Sequence, residues 1–432
     1  MLADAGLMEA CMAKAHSRVL LCVVAAAVLC AAAPALRAAA WPMRKDTEFV
    51  YVETPHYRIK SDLPPECAQA IGSHQEALFR ELCRRMQGTK AAGQIERMDL
   101  IAVGSQEKFI KIMGDEAKGC QGLYTGDRLG AFGDPKEMDA LLGVLRHEGT
   151  HQLVWEFIGP TCPVWLNEGL AEFFQNAEFS RDAMKTGQVP LLNVVILRKA
   201  IEDDKTIPLP RLLMMTYEDW SKAVADESPQ AHIQYPQAWS VVHFLQEGDN
   251  GKYRAPLLQY IYHLSRKRGS MEAWAETFGT NYKAFEDRWK AYVQKLKATD
   301  GIDCRLKLEL LGRMLIRAMK DPEVVKDMEA FRQAVLAGKM GGWKLTLAGE
   351  EVEIADRESL ADLFRCPEDR RPSAPTSYEL SPGQSGQPPV LRCRNHAGYV
   401  LETVYEKGEE AGTFTVKTVT KALGPVPSPR AR

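Results

Sequence analysis

Residues 140 to 174 constrain the fold of this chain more than any other stretch. Two apolar helical segments flank a Gly159-Pro160 break, and each carries a pair of polar side chains four positions apart. Apolar residues at Leu141, Val144, Leu145, Leu153, Val154, Phe157 and Ile158 recur at helical spacing, so a helix is expected over 140–158, stopped by Gly159-Pro160. His147 and His151 stand at i and i+4 within it, project from one face, and can meet one tetrahedral metal ion. Glu148 follows the first histidine, where its carboxylate can take a proton from water at such a metal. The alternative is a helix whose histidines are ordinary surface or core residues.

A catalytic zinc keeps three protein ligands and leaves the fourth position to water. The third candidate is Glu168, in a second expected helix from Val164 to Phe174. Glu172 shares its face and can accept a hydrogen bond from the far nitrogen of a ligand histidine, fixing its tautomer. A solvated helix carboxylate is the other reading of Glu172. Asn167 reads as a helix-start or hydrogen-bonding residue.

The pair His147-Glu148-x-x-His151 with Asn167-Glu168-Gly169-x-Ala171-Glu172 resembles the gluzincin metallopeptidases, and its surroundings resemble the peptidase MA-like group, including the bacterial family labelled DUF1570. The resemblance extends upstream to Glu53-Thr54-Pro55-His56-Tyr57-Arg58-Ile59, as an opening strand, and downstream to Tyr235–Leu245, as a helix after the metal site. It implies Zn2+ as cofactor and a tyrosine or histidine donor to the oxyanion; Tyr235 matches best and His232 is the runner-up. Core packing is the competing role for Tyr235, and His243 reads as a buried structural histidine. Sixteen residues separate His151 from Glu168, slightly fewer than in the aminopeptidase branch, so the resemblance carries metal chemistry better than substrate preference.

Lys14, His16 and Arg18 precede an apolar run from Val19 to Ala33, and Ala38-Ala39-Ala40 offers a cleavage site before Trp41. Residues 1–40 are therefore expected to be a signal peptide, or an uncleaved membrane anchor, and the protein to be exported, periplasmic or extracellular. Removing the leader leaves Cys67, Cys83, Cys120, Cys162, Cys304, Cys366 and Cys393, an odd set in a compartment that permits disulfides. Cys366 with Cys393 is the first candidate bridge, Cys120 with Cys162 a second. A rival reading makes Cys366, Cys393 and His396 metal ligands. A net charge of −2 argues against nucleic acid as a partner. The oligomeric state is left open.

The fold class expected is α+β: a gluzincin-like metallopeptidase domain over 41–300 with a small α/β lobe, the metal-site helix and a helical lobe. Strands are expected over 49–60 and 98–103, a helix over 65–87, and a glycine-punctuated hairpin over 122–133 that offers an edge to an extended peptide. Residues 191–297 read as mostly helical, with Trp239, Trp274 and Trp289 in the core. A helical linker over 301–340, a small β-containing module over 341–423 and a tail over 424–432 follow, with 366–390 expected as loop. The function that fits is an exported zinc-dependent peptidase acting on a peptide or protein substrate. The alternatives are a catalytically inactive metalloprotein scaffold or an envelope interaction protein built around the C-terminal module.

Overall fold

A computed structural model describes residues 41–422 apart from 88, 90–94, 136–137, 181–182, 227, 300–303, 348–349, 355–356, 366–376, 382, 384–387, 395–398 and 408–413. The expected leader, Cys366, His396 and the terminal tail lie outside the described residues. The architecture is mixed α+β, and the chain divides into two compact units, with the boundary at 298/299.

The first unit opens on a six-stranded sheet ordered β1-β2-β3-β4-β6-β5, formed by Met43–Lys45, Val50–Glu53, Tyr57–Ser61, Met98–Val103, Gly122–Tyr124 and Arg128–Phe132 in chain order. The β3/β4 and β4/β6 pairs are parallel and the others antiparallel. The single strand expected over 49–60 is two strands. Pro55 interrupts the run, and Thr54 and Tyr57 close the turn through a backbone bond of 2.9 Å and a Tyr57 N–H to Thr54 Oγ1 bond of 3.0 Å. Alternation along β4 sends Leu100 and Ala102 to one face and Ile101 and Val103 to the other. The first face packs on α1 (Pro65–Arg85) and α3 (Met138–Phe157); the second is covered by α2 (Gln106–Met113) through Phe109 and Met113.

Helix α3 is central. Every residue from 141 to 154 is buried except the half-buried Glu148, because α1, the helix over 164–175 and strands β5 and β6 all pack around it. Gly159, at φ +83°, ends it with a left-handed cap whose N–H bonds back to Val154 O at 3.3 Å. The chain then enters α4 (Val164–Gln175) after Pro163. A hairpin of β7 (Glu178–Ser180) and β8 (Ala183–Lys185) leads to the helices α5 (Leu191–Glu202), α6 (Leu209–Met214), α7 (Tyr217–Ala225), α8 (Ala231–Gly251), α9 (Arg254–Ser265), α10 (Ser270–Phe278) and α11 (Tyr282–Lys295). Trp239, Trp274 and Trp289 are all in their core, as expected. His243 is also buried, with Nδ1 2.7 Å from Tyr292 Oη and Nε2 3.1 Å from Gly187 O, so both ring nitrogens serve the fold. One continuous apolar core runs from the sheet through α3 and α4 into these helices.

In the second unit the helix α12 (Cys304–Ala318) packs on a four-stranded antiparallel sheet, so the first part of the stretch expected as a linker is core structure. The sheet order is β11-β12-β13-β14, from Tyr378–Ser381, Val390–Arg394, Tyr399–Lys407 and Phe414–Ala422. Short helices α13 (Pro322–Val325), α14 (Met328–Leu336) and α15 (Arg357–Asp362) and a hairpin of β9 (Trp343–Leu347) and β10 (Glu350–Ile354) complete it. The span expected as loop, 366–390, contains β11: its four residues are held by pairing with β12, which their proline- and serine-rich surroundings conceal. Among the described residues no helix is long and apolar enough to cross a membrane.

Candidate metal centre

Helix geometry brings His147 and His151 onto one face of α3, with ring centroids 4.9 Å apart. The Gly159 turn returns the chain so that α4 packs along α3 and delivers Glu168 to that face. Glu168 Oε2 lies 3.7 Å from His147 Nε2 and 3.8 Å from His151 Nε2. All three residues are buried, and their ligand atoms lie within 4.8 Å of one another. Bonds of about 2.0–2.1 Å at tetrahedral angles would put such atoms about 3.3 Å apart, so Glu168 Oε2 stands within about half an ångström of that spacing from each histidine nitrogen. Glu168 supplies a further test of fit. Both of its carboxylate oxygens are buried with no hydrogen-bond partner among the described residues, a costly state that a bound cation would relieve. A buried His-His-Glu group able to bind a metal is thus present.

The far nitrogens of the histidines are held by amides. His147 Nδ1 is 2.8 Å from Gln175 Oε1, and His151 Nδ1 is 2.9 Å from Asn167 Oδ1. Asn167 Nδ2 in turn donates to the hydroxyl of the half-buried Tyr217. With each Nδ1–H donated to an amide oxygen, each Nε2 keeps its lone pair toward Glu168. Burial pushes the His147 pKa down to about 4 against a smaller upward pull from Gln175, so the ring is the neutral ligand form at pH 7.

Glu172 departs from expectation. Its Oε1 is 3.8 Å from His147 Nδ1, beyond hydrogen-bond range, and Gln175, one turn further along α4, takes that position. Burial first, and the Glu168 charge second, raise the Glu172 carboxyl to about 8. Asn167 sits beside Glu168 in the recognisable motif, whereas nothing in the local pattern singles out Gln175.

Glu148 lies beside β5. A Cβ added to Gly122 would collide with Val144 Cγ1 and lie 2.7 Å from Glu148 Cγ, so the strand backbone presses on the helix at the carboxylate. A cavity of about 20 Å³, room for one water-sized group, opens there between Gly122, His147, Glu148 and Gln175. β5 pairs with β6 on one side and is the last strand of the sheet on the other, so this cavity borders a sheet edge among the described residues.

Tyr235 sits within the first two turns of α8 rather than at its start, followed by Pro236 inside the helix. Its hydroxyl oxygen is buried, and its ring meets Trp220 edge-on at 5.0 Å. Burial, then the Glu168 charge and to a lesser extent Glu172 and Glu148, hold its pKa well above the usual phenol value, so the hydroxyl stays protonated beside the site's carboxylates. His232 is half-buried, three residues earlier on the same helix. Cys120 and Cys162 are not bonded to each other; their thiols point to the carbonyls of Ala117 and Pro163.

The family described as a protein of unknown function (DUF1570) matches residues 142–269, a span that holds His147, Glu148, His151, Glu168, Gln175 and Tyr235. No curated protein and no solved structure matches the chain.

Proposed function

We propose that this protein is a zinc-dependent peptidase of gluzincin type, exported from the cell. The observation that carries the reading is the convergence of His147, His151 and the hydrogen-bond-deprived Glu168 carboxylate, with Glu148 on the adjoining cavity. His147, His151 and Glu168 would hold the ion, which when bound supplies Lewis acidity and lowers the pKa of water in its open position.

The remaining work falls to side chains and backbone. Glu148 takes the proton of the attacking water and returns it to the leaving amine. Tyr235, kept protonated by its surroundings, donates a hydrogen bond to the oxyanion that forms at the scissile carbonyl. The outer edge of the sheet at β5 would supply N–H and C=O groups to an extended peptide running past Glu148.

The export reading has its own test at the start of the described chain. Trp41, the residue after the expected cleavage site, is docked on α1: its N–H donates to Gln69 Oε1 at 3.0 Å, and Gln69 Nε2 donates back to Trp41 O at 3.0 Å. Mass spectrometry of the mature protein should find an N-terminus at Trp41; a retained residue 1–40 segment would leave the anchor reading.

Metal analysis and digestion of a peptide library, with Glu148→Gln alongside, test the activity. Zinc should be stoichiometric in both proteins, with cleavage confined to the unsubstituted one. Equal cleavage by both removes Glu148 as base, and zinc without cleavage in either supports the inactive scaffold instead.

A further inference from the structure

We propose that Arg146 and His74 form a buried clasp that fixes Gln175, and through it His147, and so set the affinity of the metal centre. The inference rests on the metal-binding reading above.

The last carbonyls of a helix have no donor within it. At the end of α4 three of the last four are met by other donors: Glu172 O by Asn176 Nδ2 at 2.7 Å, Phe174 O by the Ala177 N–H at 3.0 Å, and Gln175 O by Arg146 Nε at 3.0 Å and Nη2 at 2.8 Å. Arg146 belongs to α3 and immediately precedes His147, so its guanidinium ties the end of one site helix to the other at the level of the first ligand. A cation at a helix C-terminus is also favoured by the helix dipole.

The guanidinium is itself fixed. Its Nη1 lies 2.7 Å from His74 Nε2 on α1. Arginine only donates, so His74 must present a lone pair at Nε2 and carry its proton on Nδ1. His74 is 2% exposed, with its ring 4.5 Å from Phe179, and burial together with the Arg146 charge holds its pKa well below the ordinary value. His74 therefore stays neutral and keeps accepting.

The fork makes two bonds to the Gln175 carbonyl, and the side chain of the same residue reaches His147 Nδ1 at 2.8 Å. Helix end, amide and ligand ring are thereby held in one relative position. An apolar side chain would fill the Arg146 volume at lower desolvation cost; what it would lack is the pair of directed donors. Arg146 and His74 are positioning residues, acting on the ion through Gln175 and His147.

The test is competitive chelator titration of the full chain with Zn2+ and with Co2+, read by Co2+ visible absorption, for the unsubstituted protein, Arg146→Met, Arg146→Lys, Gln175→Leu and the Arg146→Met/Gln175→Leu double variant. Arg146→Met and Gln175→Leu should each weaken Zn2+ binding by about 10- to 100-fold and shift the Co2+ spectrum. The double variant should lose no more than the worse single, and Arg146→Lys, which has one donor nitrogen in place of the fork, should fall between. A purely structural role would lower the melting temperature of metal-free Arg146→Met but leave the affinity and spectrum of its folded fraction unchanged, and that result overturns the proposal. Losses that multiply in the double variant also overturn it. Should Arg146→Met not fold, unchanged affinity in Arg146→Lys decides against the clasp. Absence of Zn2+ and Co2+ binding by the unsubstituted protein overturns the metal reading itself, whereas normal binding with no Arg146 effect overturns the clasp alone.

Discussion

A Cβ at position 169 would lie 2.5 Å from the carbonyl oxygen of Ala238: Gly169 and Ala238 mark the place where α4 and α8 meet backbone against backbone. The contact brings the helix carrying Tyr235 against the one carrying Glu168. Gly169→Ala should destabilise the protein by about 1–3 kcal/mol, because a backbone carbonyl cannot swing aside as a side chain can. Gly269→Ala, with nothing within 4 Å of the added carbon, is the matched control. Urea midpoints measure the difference, and equal midpoints for the two variants would deny the close crossing.

Glu168 should show opposite effects with and without metal. Its buried carboxylate oxygens have no hydrogen-bond partner among the described residues, so Glu168→Gln should stabilise the metal-free protein by about 1–3 kcal/mol. The same change should abolish stabilisation by added zinc. Thermal melts with chelator and with zinc read both effects. A Glu168→Gln variant still stabilised by zinc would show that the ion lies elsewhere.

A substitution at Gly122 should separate the proposed turnover from the proposed metal binding. A methyl group there pushes on Glu148 Cγ but does not touch His147, His151 or Glu168 in its nearest contacts. Gly122→Ala should therefore lower kcat by roughly a hundredfold, the cost of misplacing a reacting group by about an ångström. Its zinc content should not change, and loss of zinc in parallel with activity would contradict this division of labour.

Two buried groups should tie the stability of the metal-free protein to pH with opposite signs. His74 has a folded pKa well below its unfolded value near 6.5, so the unfolded chain binds the proton first and stability falls as pH drops below 6.5. His74→Gln, which keeps an acceptor for Arg146, should reduce that slope by about 1.4 kcal/mol per pH unit. Glu172 works in the other sense. Its folded pKa of about 8 exceeds the unfolded 4.5, so its contribution is complete below 4.5 and is lost as pH rises toward 8. Glu172→Gln should then stabilise the metal-free protein at pH 7 relative to the unsubstituted chain, by an amount on the order of 3 kcal/mol. Denaturant titrations at pH 5, 6, 7 and 8 in chelator test both slopes.

Much of this was legible in residue order because it depends on local periodicity. Four-residue spacing places His147 over His151 on any helix, and the apolar pattern and Gly159-Pro160 require one helix to end and another to begin. Strand β4 and the hairpin before the metal helix follow the same logic, since alternation and glycine act over a few residues. What residue order left undecided depends on three-dimensional approach. Whether Glu172 or Gln175 takes the His147 proton is a difference between 3.8 and 2.8 Å, set by how α4 lies on α3. That placement depends on Arg146, on His74 from a helix more than sixty residues upstream, and on a glycine facing a carbonyl of α8. Strand β11 formed for a similar reason: four residues with little pattern of their own were held by pairing with β12. The sequence by itself thus determined which groups could bind a metal, because a helix repeats on a fixed pitch. The tertiary structure decided which groups hold those ligands still, because hydrogen bonds between distant segments depend on sub-ångström packing that no local spacing encodes.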